Sequence, residues 1–270
     1  MINVVKFNGE SEPYSEEKAY KSAIRAGASR SLAEAAVRDM RKELYDGIST
    51  FEISEKIKRM LGRENKKAAL RFNLKKAIKK LGPTGFPFEK YVAEIFKSNG
   101  YHAKNNLFLK GKCCTHEIDF TAEKDNVLYI GECKYRNLPS GKVHTKDALA
   151  NYARFLDIIG EKSFNNQNVK SLLVTNNKFT SRTVKYSKCV GVELLGWRYP
   201  AKEGLEYLIE SQKLYPITIL PSLKSYFAEI LVSDGIMMAK DLLDENLAGK
   251  IRLSSKNLDK LIQEARILIL

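Results

Sequence analysis

Three residues, Asp119, Glu132 and Lys134, bring two carboxylates and an ammonium into the stretch T-H-E-I-D-F-T-A-E-K-D-N-V-L-Y-I-G-E-C-K-Y, Thr115 to Tyr135. Hard divalent cations such as magnesium take oxygen ligands and accept one or two carboxylates together with substrate phosphate and water. Such a metal neutralises the attacked phosphate and makes a nucleophile of water. A lysine beside it orients that water or stabilises charge in the transition state. The plainer use of these residues is a strand-capping aspartate and an ordinary ion pair, which contributes little. Two features favour chemistry. The charged residues follow directly on an apolar run of buried type, where charges need a reason, and a helix with its own glutamate, Glu89, precedes them.

Two short strands and that helix must position these groups. Ile118, Phe120 and Ala122 alternate with polar residues, and Val127 to Gly131 is mostly apolar, which predicts two strands joined by a turn at Glu123 to Asn126. Glu132 and Lys134 are two apart, so on a strand both leave the same face. Pairing across the turn brings Asp119 near that face. Phe86 to Asn99 predicts a helix closed by Gly100 as its C-cap. Phe88, Val92, Ile95 and Phe96 form its apolar stripe, with Glu89 at the edge, able to point inward. The plain role of Glu89 is a first-turn carboxylate that suits the helix macrodipole.

Helix-Glu, strand-Asp, then Glu-x-Lys resembles the PD-(D/E)XK nuclease superfamily. The local wording is similar to its Mrr-like restriction endonuclease branch: FEKYVAEIFKSNGY, HEIDFTA, IGECKY and LLVTNNKFTSRTVKYSKCVGVELLGW, over roughly residues 84 to 200. The resemblance implies a mixed-sheet core flanked by helices and a DNA-cutting activity that needs Mg2+ or Mn2+. It implies that Asp119 and Glu132 bind metal, that Lys134 is the catalytic lysine and that Glu89 is the supporting helix glutamate. Ile118 stands where the family has Pro or Val before the aspartate, a change that keeps the apolar residue.

The chain has 270 residues and a net charge of +14, which suggests a polyanionic partner such as DNA. The excess is uneven: residues 1–82 carry +8, residues 83–200 carry +7, and residues 201–270 carry −1. Electrostatic binding therefore falls to the first two segments. Lys142, Lys146 and Arg154, after the central cluster, are candidates to line a phosphate path. No apolar run approaches a membrane span and MINVVKFNGE lacks a signal-peptide core, which points to the cytoplasm and no membrane partner. The four cysteines read as reduced thiols. Cys113 and Cys114 are adjacent, a poor arrangement for a tetrahedral zinc set, and His116 reads as a polar strand-face residue.

Residues 1–82 predict a β-hairpin turning at Asn8-Gly9, then helices over Ser15–Ala26, Leu32–Leu44, Phe51–Leu61 (capped by Thr50) and from Asn65 to about Leu81, ended by Gly82-Pro83. Between Lys56 and Lys80 stand eleven Lys or Arg and one acidic residue, so like charges repel unless phosphates lie among them. VVKFNGESEPYSEEK, YDGISTFEISEKI and AALRFNLKKAIKKLG resemble the ATP-cone, a nucleotide-sensing module. The resemblance implies that ATP or dATP lies along Val5 and Lys6, with Glu12 and Lys18 near base and phosphates and Thr50 on the adenine side. Phe7 replaces the arginine usual after the hairpin lysine, which removes a bidentate phosphate contact.

The expected architecture is thus a multidomain α+β or α/β chain. Residues 1–82 form an ATP-cone-like domain, 83–200 the nuclease domain, and 201–270 a helical region whose Leu223, Phe227, Leu231, Ile236, Leu242 and Leu243 serve packing or homo-oligomer formation. The expected function is a magnesium-dependent DNA endonuclease regulated by ATP or dATP. The alternatives are a nucleotide-responsive DNA-binding regulator with an inactive nuclease fold, and a nuclease for branched DNA or RNA. No Gly-x-x-x-x-Gly-Lys-Ser/Thr loop exists, which disfavours an ATPase.

Overall fold

The structure, a computed structural model, describes residues 2–82, 85–138, 141–164, 167–244, 246 and 255–270, without the side chains of Phe86 and Ser255. The expected helix stop at Pro83, and Pro139 in the loop after the central cluster, lie outside these residues. The chain forms two compact units, Met1–Ile78 with Pro216–Leu270, and Lys79–Tyr215. The division into three at 82/83 and 200/201 thus meets a different grouping, in which residues from Pro216 onward pack with the N-terminal segment.

In the first of these units, β1 (Asn3–Val5) pairs antiparallel with β2 (Ser11–Pro13) and parallel with β3 (Ile48–Ser49). Gly9 supplies the left-handed backbone of the hairpin turn, with φ 82°. Helices α1 (Glu16–Arg25), α2 (Arg30–Lys42) and α3 (Thr50–Glu64) close over Val4, Ala23, Ala33, Met40, Ile48, Ile57 and Leu61, all buried. Ser15 caps α1, its hydroxyl accepting from Lys18 N–H at 3.2 Å. Ser49, not Thr50, caps α3: its backbone is extended and its hydroxyl accepts from Glu52 N–H at 3.0 Å, which leaves Thr50 as the first helical residue. The single helix expected from Asn65 becomes α4 (Lys66–Phe72) and α5 (Leu74–Lys79), broken at Asn73. Within the region expected to be helical, Ile217–Ile219 and Ala239–Leu243 form short 3-10 turns. Thr218 donates to Ala77 O at 2.7 Å, and the last helix, Ser255–Ile269, packs on α4. Of the six residues expected to pack here, Leu231, Ile236 and Leu242 are buried, and Leu223, Phe227 and Leu243 are half-buried.

The second unit holds a mixed five-stranded sheet flanked by helices. Its strands are β4 (His102–Lys110), β5 (Thr115–Lys124), β6 (Val127–Cys133), β8 (Asn168–Val174) and β10 (Glu193–Leu195), in spatial order β10-β8-β6-β5-β4. β4 to β6 are antiparallel neighbours, and β6, β8 and β10 run parallel. The β5–β6 turn is the two-residue type, with Asp125 and Asn126 both at positive φ, a conformation their short polar side chains tolerate. β4 carries no clear alternation in sequence, because the exposed Phe108 stands between Leu107 and Leu109. Helix α6 (Phe86–Ser98) packs on β4 and β5, and α7 (Thr145–Ile159) packs on β8 and on α8 (Ser181–Val190). Two short strands, β7 (Lys142–Val143) and β9 (Lys178–Phe179), pair in parallel just before α7 and α8. Trp197 is buried and Tyr199 meets Phe179 edge-on, so both aromatics serve the core. Among the described residues no helix is long and apolar enough to cross a membrane.

Candidate active site

β6 sits between β5 and β8, so its apolar run is shielded by both neighbours. The register opposes Phe120 to Gly131, and a Cβ on Gly131 would lie 2.2 Å from the Phe120 ring. The aromatic therefore covers the strand one residue before Glu132. Beyond that pair the two chains are joined by side chain: Cys133 N–H donates to Asp119 Oδ2 at 2.6 Å. The next residue stays bound to the sheet, with Lys134 N–H donating to Val174 O at 2.7 Å and Thr175 Oγ1 donating to Lys134 O at 2.6 Å. Asn176 then brackets the backbone of Arg136, accepting from its N–H at 2.8 Å and donating to its carbonyl at 3.1 Å. The buried Thr175-Asn176 pair of the V-T-N-N motif thus fixes where Lys134 leaves the sheet.

Glu132 is buried, and both its oxygens are paired: Oε1 with Lys134 Nζ and Oε2 with the Arg154 guanidinium from α7. The same-face expectation for Glu132 and Lys134 is met in this contact. Asp119 is pushed up to about 6, first by burial and then by Glu132, against the opposing pull of Cys133 N–H, Lys134 and Arg154. Glu89, half-buried in the first turn of α6, is pushed up to about 7 by burial and by the charges of Asp119 and Glu132. Three carboxylates therefore share one field at the end of β6, with a lysine and an arginine among them. The oxygens of Asp119 and Glu132 are the donor type that magnesium or manganese takes, and carboxylates burdened by burial and mutual repulsion gain most from a divalent cation.

The other sequence candidates divide. Arg154 is at the cluster, on Glu132, a partnership with no sequence signal because α7 reaches the sheet from another element. Lys142 and Lys146 are exposed on β7 and in the first turn of α7. Lys146 lines an open depression with His144, Thr145, Thr180 and Arg182, where α7 and α8 both begin. In the other unit Glu12, Lys18 and Thr50 line one cavity of about 240 Å³ with Val4, Tyr14 and Phe72. Val5 and Lys6 do not line it. Lys6 is tied instead to Glu10 at 3.3 Å and Glu12 at 3.0 Å, and Lys18 also reaches Glu12 at 3.0 Å.

The fold and this cluster define a mixed-sheet domain with an acidic-basic site at a central strand end. The C-terminal part, residues 215–269, matches the family model described as AF1548-like, C-terminal. An uncharacterized protein of Archaeoglobus fulgidus is 41% identical over 182 residues, 66% of this chain and 99% of that protein. The crystal structure of AF1548, a protein of unknown function, is 36% identical with a TM-score of 0.59, covering 69% of this chain and 98% of that one. The chain belongs to the AF1548-like family. A distant likeness, 13% identical with a TM-score of 0.34, links 73% of this chain to 39% of the MspJI restriction endonuclease solved in complex with a 27-mer oligonucleotide.

Proposed function

We propose that the protein is a metal-dependent DNA endonuclease of the PD-(D/E)XK, Mrr-like kind. The observation that carries the reading is the meeting of Asp119, Glu132 and Lys134 at one strand end, with Glu89 in the same field. Asp119 and Glu132 would hold Mg2+ or Mn2+, which when bound polarises the scissile phosphate and lowers the pKa of attacking water. Lys134, fixed by the backbone bonds to Val174 and Thr175, directs its ammonium to that water or to a non-bridging phosphate oxygen. Arg154 pairs with Glu132 Oε2 and holds that carboxylate in place. Glu89, near neutrality in its titration, takes or gives a proton at the edge of the site.

The cavity lined by Glu12, Lys18 and Thr50 supports a regulatory role for ATP or dATP in the other unit. The test is nicking of supercoiled plasmid with magnesium, with and without ATP or dATP. The wild type nicks and Lys134→Ala does not; nucleotide changes the rate in the wild type and not in Lys18→Ala. Equal nicking by wild type and Lys134→Ala would remove the catalytic assignment. Tight DNA binding without cleavage by either would favour a regulator with an inactive nuclease fold.

A further inference from the structure

The turn between β4 and β5 is G-K-C-C, from Gly111 to Cys114, and it is built against α7. Gly111 N–H donates to Cys114 O at 2.8 Å and Lys112 N–H donates to Asp157 O at 2.9 Å. Cys113 and Cys114 direct their backbone N–H groups to the two oxygens of Asp157, at 2.8 Å and 3.3 Å. A Cβ on Gly111 would lie 2.2 Å from Asp157 Oδ2, so only glycine lets the turn come this close. His116, the second residue of β5, reaches Asp157 Oδ2 with Nε2 at 2.7 Å, and Cys114 Sγ lies 3.5 Å from the same nitrogen. The three side chains each turn one ligand atom toward a common point, all within 4.8 Å of one another.

The geometry points to a binding site for a zinc-class divalent cation formed by Cys114, His116 and Asp157. The donor set decides the class: thiolate, imidazole and carboxylate together suit zinc, whereas magnesium and calcium take oxygen alone. The spacing fits as well. Bonds of ~2.3 Å to sulfur and ~2.05 Å to nitrogen, at tetrahedral angles, put the two donor atoms ~3.6 Å apart, against 3.5 Å here. The ion would replace the proton between His116 and Asp157, and these two atoms would move apart by roughly half an ångström to reach the tetrahedral edge. Coordination through Nε2 leaves the His116 proton on Nδ1, and the cysteine thiol gives its proton to solvent. The two backbone donors already orient the carboxylate, as supporting groups around a metal do. A water is available for the fourth position. Adjacency of the two cysteines, which counts against a zinc set built from both, is no obstacle: only Cys114 is needed, and the remaining ligands come from β5 and α7.

This site would fasten the hairpin tip to α7, the helix whose Arg154 holds Glu132. It is independent of the proposed nuclease chemistry. The test uses the full chain, stripped with EDTA and kept reduced, titrated with Co2+ as a spectroscopic stand-in for zinc. One equivalent should raise the near-ultraviolet thiolate-to-cobalt charge-transfer band and the visible bands of tetrahedral cobalt, and zinc should bleach both. Cys114→Ser and His116→Gln should each lose the charge-transfer band; Cys114 is exposed, so its variant folds as the wild type does. Glu132→Gln should keep the band, because Asp119 and Glu132 offer only oxygen. A wild type without the band, or a band that persists in Cys114→Ser, overturns the site. One equivalent of zinc should also raise the melting temperature of the wild type and not of Cys114→Ser; an equal rise in both counts against it.

Discussion

Asp119 and Asp157 belong to the same unit, yet their carboxyl groups are pulled in opposite directions. Asp119 is pushed up to about 6 by burial and by neighbouring Glu132. Asp157 is held below the ordinary carboxylate range by hydrogen bonds from Cys113 and His116. One belongs to a group of like charges that has accumulated two cations, Lys134 and Arg154, around Glu132. The other sits among neutral donors of mixed hardness. The difference teaches that acidic residues alone do not define a metal preference. Crowded oxygens at a strand end favour a hard cation that relieves repulsion, and a thiol-imidazole-carboxylate set favours a borderline one.

The largest effect should come from the charge of Glu132. Glu132→Gln leaves Lys134 and Arg154 without their anion and removes a metal-ligand candidate. Magnesium-supported nicking should fall by at least ~10²-fold, the scale of losing one transition-state stabiliser. Retained nicking in this variant, measured at saturating DNA, would separate the cluster from catalysis altogether.

The crowding itself has a pH signature. A carboxyl whose folded value lies above its unfolded value keeps its proton longer in the folded chain. The cost to folding is absent below about pH 4, grows as pH rises, and is complete above the folded value of about 6 for Asp119. At ~1.36 kcal/mol per pH unit of displacement, Asp119 alone accounts for a decline of roughly 3 kcal/mol across that window. Denaturant midpoints of metal-free protein should therefore fall from pH 4 to pH 7. In Asp119→Asn that fall should be shallower, and millimolar magnesium should flatten it in the wild type. A stability curve identical in wild type and variant would show that the crowding is not felt.

How much of this was legible in sequence follows from where each partner comes from. The alternation around Asp119 and the two-residue spacing of Glu132 and Lys134 fix a common strand end from local pattern alone, and the strands β5 and β6 follow. Glu89 is legible because one apolar stripe orients its helix. Sequence offers Arg154 only as a candidate to line a phosphate path, since its contact with Glu132 depends on how α7 crosses the sheet. The Cys114–His116–Asp157 set was invisible for the same reason: Asp157 arrives from α7, far along the chain. On that helix Leu149 and Leu156 are exposed and Phe155 and Ile159 are half-buried, while Ala148, Asn151 and Ile158 are buried. The buried face of the helix therefore includes a polar residue, Asn151, whose amide donates to Ser171 Oγ at 2.9 Å. Likewise, composition marks residues 201–270 as less basic but does not show that residues from Pro216 onward share a unit with the N-terminal helices.

A smaller perturbation probes the turn side of the comparison. Gly111→Ala places a methyl carbon 2.2 Å from Asp157 Oδ2 and 2.9 Å from Cys114 O. The turn must shift off α7, a cost of about 1–3 kcal/mol of the kind seen on overpacking. The melting temperature should drop by several degrees, measured by circular dichroism, whereas Gly47→Ser, with open space around its Cβ, tests only the backbone strain of a positive φ. A Gly111→Ala protein as stable as the wild type would mean that the turn does not press on Asp157.

The smallest expected effect separates binding from chemistry. Lys146 and Arg182 lie on one depression where α7 and α8 begin, and the backbone N–H groups of two helix starts add partial positive charge there. If DNA phosphates lie on this surface, each exposed cation contributes through counterion release and not through sequence contacts. Lys146→Ala and Arg182→Ala should each weaken DNA binding severalfold at low salt. Each should also reduce the slope of log affinity against log salt by about one. Lys142→Ala, an exposed residue of β7 that does not line the depression, gives the matching test. Cleavage rates at saturating DNA should stay unchanged in all three, the reverse of Lys134→Ala, which should bind with the wild-type salt slope and fail to cut. Fluorescence anisotropy over a salt series reads the slope directly. A slope unchanged in Lys146→Ala and Arg182→Ala would move the DNA path off this surface and leave the assignment of the carboxylate cluster standing.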